Sequence, residues 1–282
     1  MPALRVLIGS PVRQKPAILR AFLDGLAGLD GAGCRVDWLF ADDNDDPASA
    51  AMLRAARAPG GGQCCVGAVQ DAAAHPAYNC DDTHHWESDA RLPERVGQMK
   101  DGILAHARAG GYDACLLVDS DLVLRPATLQ TLLGAGKDIV SEVFWTAWRT
   151  GEPEAPNVWV CDQYSFGFSR TGEQERANRE RIWPVLRVPG LYRVGGLGAC
   201  TLFSRRALRA KDASGGPGLR FWPALDNVTF WGEDRHLCIR AAALGLERWA
   251  HVGCEPLHLY RESDLGRLEA WCEEAGLEER AE

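Results

Sequence analysis

The chain opens on an apolar run, Leu4 to Gly9, and then places Ile18, Leu19, Phe22, Leu23 and Leu26 at helical spacing within "KPAILRAFLDGLAGL". This predicts a buried strand feeding an amphipathic helix. The unit recurs, because Val36, Trp38 and Phe40 alternate as in a strand within "CRVDWLFADDNDD" and Asp46-Pro47 opens a helix over "ASAAMLRAARA". A third strand is predicted over "GQCCVGAV", and "ERVGQMKDGILAHARAGG" reads as a helix closed by glycines that leads into the strand "YDACLLVD". Pro126 is expected in the first turn of a helix over "PATLQTLLGAG", followed by a strand over "DIVSEVFW". Further on, "GGLGACTLFSRRAL" predicts a strand running into a helix. "GEDRHLCIRAAALG" predicts a helix stopped by Gly245, with Leu237, Ile239 and Ala243 on its inner side. Such alternation implies an α/β sheet with helices on both faces.

Two stretches depart from the pattern. "DAAAHPAYNCDDTHHWESDARLP" is polar and proline-containing, as expected of a long surface loop. Trp145 to Arg193 is rich in Gly, Pro and Trp, with one polar helical stretch near "GEQERANRERIW", and is expected to form a lid or acceptor region. No internal repeat or low-complexity linker divides the chain, so one globular unit is expected.

Composition narrows the partners. The 282 residues are 46% hydrophobic, enough for a substantial core. A net charge of −8 argues against a polyanion binder, so no nucleic-acid partner is expected. The N-terminus lacks a basic leader with a long apolar core, and no run approaches the ~20 apolar residues of a transmembrane segment. Cys115, Cys200 and Cys238 sit in apolar runs as small buried thiols, which suits a reduced, cytoplasmic location. Cys64, Cys65, Cys80, His84 and His85 lack any Cys-x-x-Cys pair, and their irregular spacing argues against zinc. The glycines form neither a dinucleotide fingerprint nor a P-loop.

The chemistry gathers at "DSD", Asp119 to Asp121, at the end of a predicted core strand. Ligand sites in α/β sheets lie beyond the carboxyl ends of strands. Side chains at i and i+2 of an extended segment share a side, so both carboxylates can face one hard divalent cation, which offsets their repulsion and bridges to a diphosphate. An isolated Asp-x-Asp can equally cap a turn; the surrounding motifs decide.

The Gly-Gly-Tyr-Asp and apolar strand before "DSD", "LVLRPATL" after it, and the later "WGEDRHLCIRAAALG" together resemble the GT-A (Rossmann-like) fold of nucleotide-sugar-dependent glycosyltransferases. The likeness is greatest to the large inverting family two group, with "WGED" similar to galactosyltransferases, and it runs from the first strand to about Tyr260. It implies a mixed, mostly parallel central sheet. It also implies a glycosyltransferase domain over 1–260, its nucleotide-binding part about 1–125 and its acceptor part about 126–260, before an acidic helical tail over 261–282. A Mn²⁺ or Mg²⁺ cofactor is expected at Asp119 and Asp121, Asp121 being the more direct ligand and Asp119 nearer the ribose or a metal-bound water, with His258 of "EPLHLY" as third ligand and His251 as its competitor.

By the same resemblance Asp234 is the base that deprotonates an acceptor hydroxyl, and Glu233 orients the acceptor. Both also suit the positive end of a helix as ordinary first-turn acids. Ser10, Pro11, Arg13 and Asp43 (or Asp42) match the nucleoside-binding place, with Ser120 beside them. Lys100 matches a basic residue able to reach the phosphates. Gly196, in "GGLGAC", matches the segment lining the donor-sugar pocket, where a missing side chain permits close approach. Among Trp145, Trp148 and Trp159, at least one is expected to touch a sugar ring. The implied activity transfers a sugar from a nucleoside-diphosphate sugar, a UDP-sugar favoured, to an acceptor hydroxyl on a sugar, glycan, lipid or peptide, with inversion. A nucleotidyltransferase on a related sheet would need a Gly-rich, basic phosphate loop, which "GSPVRQK" only faintly offers. A non-catalytic sugar-binding module would not need both acidic motifs.

Overall fold

The opening apolar run forms β1 (Leu4–Val12), which continues three residues beyond Gly9 because Ser10, Pro11 and Val12 stay in register with the next strand. Pro11 is tolerated there because the strand on the other side pairs only with Val6 to Gly9, so its missing N–H breaks no ladder bond. The chain is described here by a computed structural model over residues 3–69, 91–148, 151–160, 172–226 and 232–276. Helix α1 (Pro16–Ala27) buries Ile18, Leu19, Phe22, Leu23 and Leu26, the predicted stripe. After β2 (Cys34–Asp42), Asp46 caps α2 (Pro47–Ala55) by accepting from the Ala48 and Ser49 amides. Next come β3 (Cys64–Ala68), α3 (Leu92–Ala109) and β4 (Ala114–Val118), whose five residues are all buried. The segment predicted as a surface loop lies mostly outside the described residues.

After β4 the chain forms the short β5 (Leu122–Val123), then α4 (Thr128–Gly134) and β6 (Ile139–Glu142). Pro126 stands in the turn before α4 rather than in its first turn. The Trp-rich region supplies a small hairpin, β7 (Trp145–Thr146) with β8 (Ala155–Pro156), and the polar helix α5 (Gly172–Ile182). It also contains β9 (Gly190–Val194), which no pattern in the sequence announced. Then come β10 (Cys200–Ser204), α6 (Arg205–Arg209), α7 (Glu233–Ala243), β11 (Arg248–Val252), β12 (Leu257–His258) and α8 (Leu268–Ala275). Helix α7 turns Leu237, Cys238 and Ala241 inward, whereas Ala243 is exposed, so its buried stripe is rotated from the predicted one.

Among the described residues eight strands form one sheet in the order β3-β2-β1-β4-β10-β6-β11-β9. Six run one way; β10 and β9 run against them, which makes the sheet mixed and mostly parallel. The alternation along each strand divides the core in two. Leu7, Cys115, Leu117, Ile139 and Phe203 pack on one face with α3, α6 and α7. Val6, Ile8, Leu116, Val118, Val140 and Leu202 pack on the other with α1, α2 and α4. In the described part of the tail, Leu268 and Trp271 pack against the cluster of Ile18, Val123 and Leu259. No helix among the described residues is long and apolar enough to cross a membrane.

Candidate active site

The carboxyl ends of β1 and β4 open beside the start of β10, and the "DSD" segment turns there. Asp119 donates its amide to the Ala199 carbonyl at 2.7 Å, and its own carbonyl accepts from Leu122 at 3.2 Å, which reverses the chain into β5. Ala199 has φ of 66°, the one positive φ outside glycine among the described residues. Such backbone strain is kept where surrounding structure demands it. Strand β5 pairs with β12, His258 opposite Leu122, and the Leu259 amide donates to the Asp121 carbonyl at 2.8 Å. This short ladder brings His258 Nε2 to 3.2 Å from Asp121 Oδ2. The other ring nitrogen, Nδ1, shares a 2.6 Å hydrogen bond with Thr146 Oγ1. Phe144, Tyr260 and Trp148 surround the imidazole with ring centroids 4.9, 5.3 and 6.1 Å away.

The second acidic motif meets the first through a lysine. Gly232, at φ of 110°, precedes α7 and places Glu233 and Asp234 in its first turn, where the helix dipole favours negative charge. Helix α3 crosses so closely that a β-carbon on Gly97 would lie 3.2 Å from Glu233 Cβ. One turn further along α3, Lys100 is 2% exposed. Its ammonium lies 2.7 Å from Glu233 Oε1, 3.2 Å from Asp234 Oδ1 and 3.3 Å from Asp119 Oδ1. Burial alone would lower the lysine pKa, but Asp119, Asp234 and Glu233 together raise it well above its usual value. Burial pushes Asp234 up to about 7, Lys100 opposing this and Glu233 and Asp119 adding to it. Burial likewise pushes Asp119 up to about 6, against Lys100 and with Asp121 and Glu233.

Lys100, expected at the phosphates, is therefore committed to three carboxylates in this structure. Two glycines of the glycine-rich segment have different neighbours. A β-carbon on Gly196 would fall 1.9 Å from the Trp159 ring, so that glycine is covered by an indole. Gly198 is the glycine at the cluster, where the Asp234 carboxylate lies against its Cα. The Gly198 carbonyl accepts from Asn157 Nδ2 at 3.1 Å and Ser141 Oγ at 3.2 Å. Trp145 is buried beneath the Arg187 guanidinium, 3.8 Å from its ring centroid, whereas Trp148 stays partly exposed beside His258. Trp231 lies outside the described residues.

The nucleoside candidates gather at the ends of β1 and β2. Ser10 is fully buried and its hydroxyl donates to the Pro11 carbonyl. Arg13 pairs with Asp45 at 2.7 Å. Asp43 is 1% exposed and is gripped by both arms of the Arg95 guanidinium, while Asp42 accepts from Asn44. Ser120 is buried between the two aspartates of "DSD". His251 lies elsewhere, on β11 opposite Glu142, with Nδ1 2.8 Å from the buried carboxylate. Arg95, Thr146 and Asn157 escaped sequence reasoning, and Gly198 was reached only as part of "GGLGAC". They come from α3, β7, the stretch after β8 and the turn before β10, and only tertiary packing unites them.

Among the described residues no three His, Cys, Asp or Glu side chains are gathered tightly enough to enclose an ion. The donors nevertheless suit one. Asp119 and Asp121 offer hard oxygens to Mg²⁺ or Mn²⁺, and imidazole adds a ligand acceptable to Mn²⁺. Because the Thr146 hydroxyl can donate or accept, the His258 ring can present Nε2 as an N–H to Asp121 or as a lone pair to a cation. Of the residues weighed for zinc, Cys80, His84 and His85 lie outside the described residues.

No family model matches the chain, and no curated protein does. Among solved structures it is similar to TarS of S. aureus, at 13% identity over 89% of this chain and 35% of that one, with a TM-score of 0.49. The chain thus spans about a third of that protein. A TarS 1-349 structure in complex with UDP-GlcNAc matches at 13% identity over 99% of this chain and 68% of that one, TM-score 0.47. Glucosyl-3-phosphoglycerate synthase from Mycobacterium tuberculosis in complex with Mn²⁺, UDP-glucose and phosphoglyceric acid matches at 16% identity over 98% and 82%, TM-score 0.43.

Proposed function

We propose that this protein is a metal-dependent glycosyltransferase that moves a sugar from a nucleoside-diphosphate sugar, with UDP-sugars favoured, to an acceptor hydroxyl with inversion. The observation behind this is the meeting of two acidic motifs, far apart in sequence, at one edge of the sheet: Asp119 and Asp121 with His258, and Glu233 with Asp234, joined by buried Lys100. Asp119, Asp121 and His258 would hold Mn²⁺ or Mg²⁺, which when bound supplies Lewis-acid neutralisation of the departing diphosphate.

Asp234 accepts the acceptor's proton as the acceptor oxygen bonds to the anomeric carbon and the bond from that carbon to the diphosphate oxygen breaks. A carboxylate pushed up to about 7 has the basicity this step needs near neutral pH. Glu233, one residue earlier, orients the acceptor. Single displacement from the face opposite the leaving group inverts the anomeric centre. Ser10, Pro11, Arg13 and Asp43 hold the nucleoside, with Arg95 fixing the Asp43 carboxylate. All eight described cysteines are free thiols, which supports a reducing, cytoplasmic setting.

Purified protein incubated with Mn²⁺ and a panel of nucleotide-sugars tests the reaction class. Slow hydrolysis of one donor to its nucleoside diphosphate is expected, lost in Asp234→Asn while donor binding persists. Pyrophosphate release would indicate a nucleotidyltransferase instead, and binding without turnover a sugar-binding module. A fully active Asp234→Asn would remove Asp234 from the base role.

A further inference from the structure

We propose that Lys100 is an internal counter-cation that holds Asp119 until a divalent ion displaces it, so that the lysine's grip on Glu233 and Asp234 sets how tightly that ion binds. This rests on the cation site proposed above. Three carboxylates, those of Asp119, Glu233 and Asp234, converge on one ammonium that is almost wholly buried, so the cluster carries more negative than positive charge. Charge of this kind is stable away from water only when paired.

The three partners of the lysine are not held alike. Glu233 lies closest at 2.7 Å, with Asp234 and Asp119 at 3.2 and 3.3 Å, and Asp119 is the most open of the three, its side chain 37% exposed against 28% for Asp234 and 12% for Glu233. Asp119 is the partner a cation arriving from solvent reaches first. Once a metal takes Asp119, the ammonium keeps its two shorter bonds and stays in place beneath Phe221, whose ring centroid is 5.4 Å from Nζ. The more firmly Glu233 and Asp234 hold the lysine, the less it competes for Asp119. Metal loading and the second acidic motif are thereby coupled through one side chain, and such coupling is reciprocal.

Calorimetric titration with Mn²⁺ alone, without nucleotide, separates this from a passive ion pair. Lys100→Met removes the competitor and is expected to tighten Mn²⁺ binding roughly tenfold. Glu233→Gln, which is not a metal ligand, lets the ammonium lean on Asp119 and is expected to weaken binding by roughly fivefold. In the Lys100→Met background the effect of Glu233→Gln should be much smaller. An equal effect with and without the lysine overturns the proposal, because plain loss of a negative charge would give that result. Unchanged or weaker binding by a folded Lys100→Met overturns it as well.

Should Lys100→Met not fold, ¹⁵N-lysine NMR of the wild-type protein decides. The chain has four lysines, and saturation with Mg²⁺ should move the Lys100 Nζ signal. A static signal despite measurable Mg²⁺ uptake rejects the lysine's role. Wild-type protein that takes up neither ion would instead bring down the cation site itself, and this inference with it.

Discussion

The Cα of Gly198 faces the Asp234 carboxylate so closely that a β-carbon there would lie 2.1 Å from Asp234 Oδ2. The atom in the way is the tip of a side chain, so Gly198→Ala displaces the proposed base rather than the backbone. A misplacement of about 1 Å at a reacting group costs on the order of 100-fold in rate. Gly198→Ala should lower kcat by about that factor while Mn²⁺-dependent donor binding changes by less than about twofold. Steady-state kinetics and calorimetry on the same preparation check both halves, and a comparable loss of donor affinity would show that Gly198 serves the donor pocket instead.

The pH profile follows from the raised pKa of Asp234. An acid serves as base only when ionised, so a pKa raised to about 7 makes kcat/KM climb with pH through neutrality and level off above it. At pH 5 the base is mostly protonated and the rate should be at least tenfold below the plateau. The same shift affects stability in the opposite sense. Above the ordinary carboxylate range the unfolded chain has already released this proton while the folded one retains it, so Asp234 favours folding progressively less as pH rises from about 4 to about 7. A flat rate profile between pH 5 and 8 would assign proton removal to another group.

Thr146 has no place in the chemistry but bonds the far nitrogen of His258. Partners of this kind fix ring orientation, and their loss costs metal sites roughly 10- to 100-fold in affinity. Thr146→Val should weaken Mn²⁺ binding by roughly tenfold. Thr146→Ser, which keeps the hydroxyl, should restore it. Equal affinities for the two variants would mean that packing by Phe144 and Tyr260 suffices to orient the ring.

The turn at Ala199 makes a prediction about stability. A non-glycine residue at φ of 66° carries about 1 kcal/mol of strain, which glycine would not carry. Glycine gives back part of that gain through the greater freedom of its unfolded chain. Ala199→Gly should therefore leave the unfolding free energy unchanged or raise it by up to about 1 kcal/mol, whereas Ala199→Val should cost about 2 kcal/mol. Denaturant unfolding measures both, and a destabilised Ala199→Gly would contradict the assignment of strain to this residue.

Local periodicity carried the strands around Ile8, Trp38 and Leu116 and the helices beside them, because each buries a regular stripe against one face of a sheet. The cap of α2 was legible in Asp46-Pro47 alone, because a cap is a bond between neighbours in sequence. Strand β9 was hidden because Gly190–Val194 is an edge whose pairing with β11 joins segments far apart in the chain. Asp119 and Asp121 could be nominated from a strand end and their spacing, and the other candidates at the carboxyl edge from the resemblance to the glycosyltransferase family. What binds what could not. Lys100 was directed toward phosphates, and nothing near it in sequence told of Glu233 and Asp234, which the crossing of α3 and α7 brings to it. Gly196 and Gly198 were likewise equivalent on paper until Trp159 covered one and Asp234 approached the other.

The central claim is that Asp119 and Asp121 hold a cation that in turn holds a diphosphate. Isothermal titration of UDP in the presence and absence of Mn²⁺, on the wild type and on Asp121→Ala, tests this most directly. Binding that requires Mn²⁺ in the wild type and disappears in Asp121→Ala is the predicted result. UDP binding of equal strength with and without Mn²⁺, or retained in Asp121→Ala, would contradict it.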